Sequence, residues 1–311
     1  MRRREFVTLL GASVTVWPVV GRAQQAVSKI GVLWPGSVYP PPPRMPAFTQ
    51  ALRQLGFIEG QNLSIELRYA RGGVQQLSEL AAELAQTNVD VIAAFGDLAP
   101  KIAHDKTKTI PIVAISDDIL ATGLVESLSH PGGSTTGLSI MSSELSAKRL
   151  GVLHDMIPQL SYVIALWDPT TGASQIVATQ NAANTLGVEL EVCEIRHRDD
   201  LTGAFDKART SGADGIDVFA SPSLSSLFRE IIDLSMSYRI PAIYQWKEHV
   251  EAGGLLSYGP NLAALWRQAG TIVVKVLNGA RPANLPSSNR RSSNWQSTPG
   301  PRRRWTFLCS R

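Results

Sequence analysis

Polar residues directly follow several apolar segments of this 311-residue chain, and they are its candidate ligand-binding groups. Their carboxylates can bind an amine, their hydroxyls can donate or accept hydrogen bonds, and a tyrosine ring can stack on an apolar ligand. Each has an alternative role as a turn former or helix cap. The candidates after these segments are Gly96, Asp97, Ser116, Asp117, Asp168, Ser221 and Tyr244.

Two of the candidates, Asp97 and Tyr39, have a structural role as an alternative to ligand binding. Asp97 precedes a predicted helix, where its carboxylate would either cap the first turn or repel a ligand carboxylate and favour an amine. Tyr39 follows the first predicted strand, five residues after Trp34 and just before a run of prolines. Its ring would stack on an aromatic or apolar ligand group, or form a hydrophobic lid contact.

No residue pattern for catalysis, metal binding or cofactor binding is present in the sequence. The five histidines lack the HExxH spacing, and neither a GxSxG elbow nor a phosphate-binding glycine loop occurs. We therefore expect no catalytic residues, no metal and no cofactor. An exported α/β hydrolase remains the alternative class, and it would consume its ligand where a binding protein would not.

Short β-branched segments alternate with amphipathic segments, which predicts parallel sheets with crossover helices. The predicted strands are residues 29–34, 63–68, 89–95, 110–115, 162–167, 188–195, 215–220 and 241–244. The predicted helices are residues 46–55, 74–86, 98–105, 144–156, 173–186, 199–211, 223–238 and 262–277. The fold class is therefore α/β, with two similar βα lobes joined by hinge crossings.

The lobe boundaries follow from composition. Residues 24–140 form lobe 1 and residues 141–252 form lobe 2, because the glycine- and hydroxyl-rich segment 130–140 suits a crossing. Residues 253–286 contain a return crossing, at 253–258, and a helix lying on lobe 1. Ligands of open α/β sheets bind beyond the carboxyl ends of the strands, so we expect one cleft with hinge closure around a solute.

The first 23 residues predict an export signal. Three arginines at positions 2–4 precede an apolar stretch at 7–20, and small residues at Gly21 and Ala23 suit cleavage after Ala23. The stretch is too short to span a bilayer. Arg3 and Arg4 fit a twin-arginine signal, with an ordinary secretory signal as the alternative. Both place the mature protein in the periplasm.

The net charge of +4 comes from the two ends of the chain. Residues 24–286 hold 20 basic and 25 acidic residues, a net charge of −5, whereas residues 287–311 hold six arginines and no acid. A nucleic-acid partner is therefore not expected, because such proteins carry a basic face on the domain itself. The two cysteines, Cys193 and Cys309, predict no structural disulfide.

Ordered segments along residues 28–286 carry a family resemblance. They include LRQLGFIEGQNLSIELRYARGG, DVIAAFG, IPIVAISD, GLVESLSHPGGSTTGLS, YQWKEHVEAGGLLSYG and NGARPANLP. The chain resembles the tryptophan/tyrosine-type substrate-binding proteins of ABC transporters, which have the type I periplasmic-binding fold. The resemblance implies a monomeric, non-enzymatic protein that delivers a small solute to an ABC permease in the inner membrane. Asp117 matches an aspartate of that family.

The resemblance stops after Pro286. Relatives continue with a third inter-lobe strand and a closing helix, whereas residues 287–311 read as a disordered basic tail. Out-of-frame translation is one hypothesis, because codons for SSNRRSSNW can be chosen whose neighbouring frame reads VEQPTKFEL. The alternatives are a genuine tail for anionic lipid or polymer and a degraded copy. If the frame is shifted, the fold lacks one of three hinge segments and a terminal helix, and we then expect lower stability and a looser hinge.

Overall fold

Two sheets with helices on their faces form two lobes, in a computed structural model that describes residues 27–36, 44–70, 73–289 and 296–299. The strands of lobe 1 are β1 (Ser28–Trp34), β2 (Leu63–Tyr69), β3 (Val91–Phe95), β4 (Ile112–Ser116) and β5 (Thr135–Ser139). Its first three helices are α1 (Met45–Gln54), α2 (Val74–Gln86) and α3 (Leu98–Lys106).

Lobe 2 repeats this architecture. Its strands are β6 (Tyr162–Trp167), β7 (Glu189–Glu194), β8 (Gly215–Val218), β9 (Ala242–Tyr244) and β10 (Leu256–Gly259). Its helices are α4 (Ser142–Met156), α5 (Ser174–Leu186), α6 (Asp200–Thr210), α7 (Pro222–Ser226), α8 (Phe228–Tyr238) and α9 (Lys247–Glu251). Helix α10 (Leu262–Leu277) then returns to lobe 1, and two further strands follow, β11 (Ser288–Asn289) and β12 (Gln296–Pro299).

The two sheets have the same strand order, which confirms the predicted pair of similar lobes. The orders are β2-β1-β3-β4-β5-β11 and β7-β6-β8-β9-β10-β12. Neighbouring strands run parallel except β12, which runs antiparallel to β10. Every residue of β3 and β4 is buried, as expected for central strands covered by helices on both faces.

The strands β5 and β10 were not predicted from the sequence, and each contains a glycine. In β5, a Cβ on Gly137 would lie 2.0 Å from the Ala114 carbonyl oxygen, and in β10 one on Gly259 would lie 2.0 Å from that of Gln245. Close approach of neighbouring backbones therefore selects glycine, although glycine lowers strand propensity. Since β10 pairs with β9, the chain leaves lobe 2 after Gly259 and not at residues 253–258 as predicted.

One predicted helix divides in two. The predicted segment 223–238 is observed as α7 and α8, which meet at Leu227. Helix α7 begins one residue earlier than predicted, because Pro222 occupies its first turn and the Ser221 hydroxyl accepts a hydrogen bond from Leu224 N at 3.0 Å.

Part of the C-terminal tail is ordered, which differs from the expectation of disorder over 287–311. Ser287 Oγ accepts a hydrogen bond from Gly137 N at 3.1 Å, and β11 pairs with β5. Because β12 pairs with β10 in lobe 2, the chain passes between the lobes a third time. The expected loss of one hinge segment is therefore wrong for these residues. The other tail residues lie outside the described part of the chain.

Helix α10 joins the return crossing to the core of lobe 1. Asn261 caps its N-terminus by accepting a hydrogen bond from Ala264 N at 3.1 Å. A Cβ on Gly270 would lie 3.0 Å from Ala51 of α1, so glycine allows the two helices to approach closely. No helix within the described residues is long and apolar enough to cross a membrane.

Candidate functional site

Loops at the carboxyl ends of both sheets enclose two adjoining cavities between the lobes. The inner cavity, about 50 Å³, lies between the loops after β1, β3 and β4 and those after β6, β8 and β9. The outer cavity, about 450 Å³, shares Asp97, Asp117 and Thr171 with it. The outer volume lies within the range of about 300–1,000 Å³ for small-molecule sites, whereas the inner one has room for one or two waters.

The predicted site residues separate into three groups. Gly96, Asp97, Asp117 and Ser221 line the inner cavity, and the two aspartates also line the outer one. The residues that line neither cavity are Ser116, Asp168 and Tyr244. Tyr39 lies outside the described residues.

Asp97 turns its carboxylate toward the neighbouring strand end. Its Oδ1 accepts a hydrogen bond from Asp117 N at 2.6 Å, and no side-chain bond caps helix α3. The alternative role as a helix cap is therefore wrong. Burial raises the pKa of Asp97 to about 7, and the charges of Asp117 and Asp168 act in the same direction. A ligand cation beside this carboxylate would favour its ionised form.

Asp117 connects lobe 1 to two helix N-termini of lobe 2. Its Oδ1 accepts a hydrogen bond from Ser143 N at 3.2 Å, and its Oδ2 accepts hydrogen bonds from the hydroxyls of Ser143 and Ser174, the latter at 3.2 Å. Ser143 lies in the first turn of α4, and Ser174 begins α5. These contacts place the Asp117 carboxylate at the N-termini of both helices, so Asp117 links the two lobes.

Asp168 organises the lobe 2 loops and lines neither cavity. It is 1% exposed. Its carboxylate accepts hydrogen bonds from Thr170 N and Thr170 Oγ1, both at 2.9 Å, and from Ser221 Oγ. Asp168 therefore fixes the loop after β6 to the loop after β8, which is the turn-forming alternative raised by the sequence.

Ser116 and Tyr244 lie in the interiors of their lobes. Both are fully buried, and Tyr244 belongs to the core of lobe 2, where its ring meets His249 edge-on at 5.5 Å between centroids. Burial raises the pKa of the Tyr244 phenol. Both residues lie at strand ends, as predicted, but neither lines a cavity.

Aromatic rings form one wall of the inner cavity. Phe95 stacks on Trp266 with 4.0 Å between ring centroids, and Trp34 meets the same Trp266 edge-on at 5.5 Å. Trp246, from the loop after β9, lines the cavity from lobe 2 and donates a hydrogen bond to Ser225 Oγ at 3.1 Å. Such rings suit an aromatic or apolar ligand group.

Arg44 is a cavity residue that the sequence did not reveal. It precedes α1 in lobe 1, is 2% exposed, and places its guanidinium carbon 5.1 Å from the centroid of the Trp246 ring. Its Nη2 lies 3.5 Å from Glu248 of lobe 2. Burial lowers the pKa of Arg44, and the Glu248 charge opposes that effect. A single arginine beside a run of prolines gives no pattern that could have identified it.

Gln175 is a second lining residue that was missed, and it belongs to a hydrogen-bond network of lobe 2. Its amide donates to Ala220 O at 2.8 Å and accepts from Ala220 N at 2.9 Å. Ser146 links Gln175 to Arg149, which forms a buried ion pair with Asp217 at 3.4 Å. Burial raises the pKa of Asp217 to about 6, while Arg149 lowers it. The network fixes the loop after β8.

Glycines allow the lobes to meet at α7. A Cβ on Gly96 would lie 3.0 Å from Pro222 Cγ, and one on Gly36 would lie 2.8 Å from the Pro222 carbonyl oxygen. Gly96 also has a φ of +92°, which favours glycine. The lobes are therefore closed on each other in this structure, and a solute of amino-acid size needs them to separate before it can enter the inner cavity.

Comparisons with known proteins agree with the resemblance found in the sequence. Residues 44–296 match the family model for ABC transporter substrate binding proteins, a match that extends ten residues beyond Pro286. A tyrosine-binding protein of Clostridioides difficile is 25% identical over 244 residues, covering 77% of this chain and 69% of that protein.

Solved structures share the fold. One is an ABC domain in complex with L-Trp from Streptococcus pneumonia, with TM-score 0.76, 21% identity, and coverage of 91% of this chain and 95% of that one. A conserved domain protein of Vibrio cholerae has TM-score 0.75, 21% identity, and coverage of 88% and 92%. A ligand-free, open substrate binding protein from Clostridium difficile has a lower TM-score of 0.58 at 22% identity, with coverage of 91% and 95%. The chain belongs to the family of ABC transporter substrate binding proteins.

Proposed function

We propose that this chain is the exported solute-binding component of an ABC importer and captures an amino acid or a related compound between its lobes. The observation that carries the proposal is the placement of Asp97 and Asp117 where the two cavities join. A ligand amine would lie between these carboxylates, and hinge closure would enclose the solute.

The aromatic wall favours a solute with an aromatic or apolar side chain. Trp34, Phe95 and Trp246 would pack against it in the opened inner cavity. The tyrosine-binding relative and the structure in complex with L-Trp support this choice for the present chain. Gly96 and Ser221 would complete the site from the two lobes.

Export and delivery complete the proposal. The leader at residues 1–23 would direct the protein to the periplasm by the twin-arginine or the general route, with cleavage after Ala23. There the closed monomer would dock on an ABC permease in the inner membrane. The protein would carry out no chemical step itself.

A thermal-shift screen of the chain from residue 24 tests this function. Amino acids, aromatic amines, small aromatic acids and sugars are the ligands. A true solute at a hundred times its Kd should raise Tm by about 5 °C, because it binds only the folded state. Chromatography should then recover the solute unchanged. Product formation would favour the hydrolase, and a broad melt with no response to any compound would favour a degraded copy.

A further inference from the structure

The Arg44 guanidinium lacks the partners that a buried cation needs. Arginine has five N–H donors, yet among the described residues the guanidinium has one ion pair, to Glu248 at 3.5 Å, and Glu248 is a quarter exposed. Arg44 Nε is buried without a hydrogen-bond partner. Buried charges are normally paired and hydrogen-bonded, so this group has capacity for a further anion.

A second unpaired donor lines the same cavity. Trp34 is 4% exposed, and its Nε1 has no hydrogen-bond partner among the described residues. Leaving a buried donor unpaired is costly, and two such donors at one cavity indicate that an acceptor is missing. A water would accept their hydrogen bonds but bring no charge, whereas an oxyanion would accept them and add a second negative charge to that of Glu248, which lies 3.5 Å from Arg44 Nη2.

The charges that line the cavity set the orientation of a bound solute. Asp97 and Asp117 line its side toward the outer cavity, and they would repel an acidic group of the solute. Arg44 is the cation among the described residues of the lining. A solute with an acid and an amine can therefore satisfy both sides of the cavity in one orientation only.

We propose that Arg44, together with Trp34 Nε1, binds the acidic group of the solute, and that Arg44 is a specificity-determining residue of the site. The inference rests on the proposed function. Arg44 belongs to lobe 1, whereas Trp246 and Glu248 belong to lobe 2, so opening of the cleft breaks their contacts and frees the guanidinium. On closure, the acid of the solute takes the place of Glu248, and the ammonium faces the aspartates.

Titration calorimetry with three related probes tests the assignment. L-Tyrosine carries acid and amine, tyramine lacks the acid, and 3-(4-hydroxyphenyl)propanoate lacks the amine. In the Arg44→Gln variant we expect tyrosine and the propanoate to bind about 10- to 100-fold more weakly, with tyramine changed less than about threefold. Glu248→Gln should strengthen tyrosine binding several-fold, because it removes the competing carboxylate. Arg196→Gln, at an exposed pair with Glu194, is the matched control and should change none of them.

Other outcomes would overturn the assignment. An equal loss for all three probes in Arg44→Gln would mean that Arg44 only holds the lobes together, and solute binding would stand. Tighter binding of tyramine than of tyrosine to the unaltered protein would also overturn it. In the thermal-shift screen, a response to sugars alone would reject both the assignment and an amino-acid solute but keep solute binding, whereas no response to any compound would reject the whole proposed function. The test stays decisive even if Arg44→Gln fails to fold. Glu248→Gln is expected to strengthen tyrosine binding, and a folding defect would not produce that result.

Discussion

The two lobes share one strand order but use their polar residues differently at the cleft. In lobe 2, Asp168 accepts three hydrogen bonds from its own lobe and Gln175 makes two with Ala220. In lobe 1, Trp34 Nε1 and Arg44 Nε have no partner among the described residues, and the buried carboxylate of Asp97 receives one backbone hydrogen bond.

We infer from this contrast that the two lobes have different roles at the cleft. The hydrogen bonds of Asp168 and Gln175 fix the cleft loops of lobe 2, although Asp217 Oδ2 behind them is buried without a partner among the described residues, whereas Trp34 Nε1 and Arg44 Nε line the cleft from lobe 1 with capacity left for a ligand. Two sheets of equal topology can therefore supply a rigid wall and a binding surface.

Removing the buried charge partner in lobe 2 should have the largest effect. Asp217→Ala leaves Arg149 buried without its counterion, which should cost about 3–5 kcal/mol of unfolding free energy. Urea unfolding measures it. Asp206→Ala, at an exposed pair with Arg209, is the control and should cost less than about 1 kcal/mol. Similar losses in both variants would reject a structural network in lobe 2.

Neutralising Asp97 in lobe 1 should stabilise the ligand-free protein at pH 8. Its folded pKa of about 7 lies above the ordinary value of 3.8, so the fold loses stability as pH rises from about 4 to about 7, and the loss is complete above that pH. Asp97→Asn keeps the acceptor for Asp117 N and should gain up to about 4 kcal/mol at pH 8, a gain that vanishes near pH 4.

Unfolding curves of Asp97→Asn between pH 4 and pH 8 measure this difference, with exposed Asp155→Asn as the control. A gain that does not depend on pH would show that Asp97 carries no burial penalty. A loss of stability at every pH would mean that Asp97, like Asp168, is a structural residue.

Closure should depend on the small size of Gly36. In Gly36→Ala the new Cβ would meet Trp34 Nε1 at 2.6 Å and the Pro222 carbonyl at 2.8 Å. We expect the lobes to remain apart and the solute affinity to fall about tenfold, an energy of about 1.4 kcal/mol. Small-angle scattering should show less compaction with ligand than in Gly133→Ala, where the Cβ meets nothing within 4 Å. Normal compaction would contradict this prediction.

The smallest effect is expected at the hydrogen bond from Ser174 to Asp117. Ser174→Ala removes one donor that crosses between the lobes at 3.2 Å, so affinity for the solute should fall about two- to fivefold. Calorimetry measures it against Ser237→Ala, whose hydroxyl bonds within its own helix end. A hundredfold loss of affinity would show that lobe 2 contributes more to solute binding than the comparison of the two lobes implies.

Much of the fold was predictable because local signals were strong. The bounds of α2, α10 and β6 match the predicted ranges, since an apolar stripe or a β-branched segment defines each. The glycine-containing strands β5 and β10 were missed, because glycine lowers the local strand propensity of both segments.

The sequence alone determined two βα lobes, their order, and the strand ends where Asp97 and Asp117 lie, because these depend on local periodicity and on a general rule for parallel sheets. The sequence also determined the charge distribution, in which residues 24–286 are acidic and both ends of the chain are basic. Only the tertiary structure brought Arg44 to Trp246, buried Tyr244 away from the cavity, and paired the tail with both sheets. The reason is that each of these depends on contacts between segments far apart in the chain, and no local pattern encodes them.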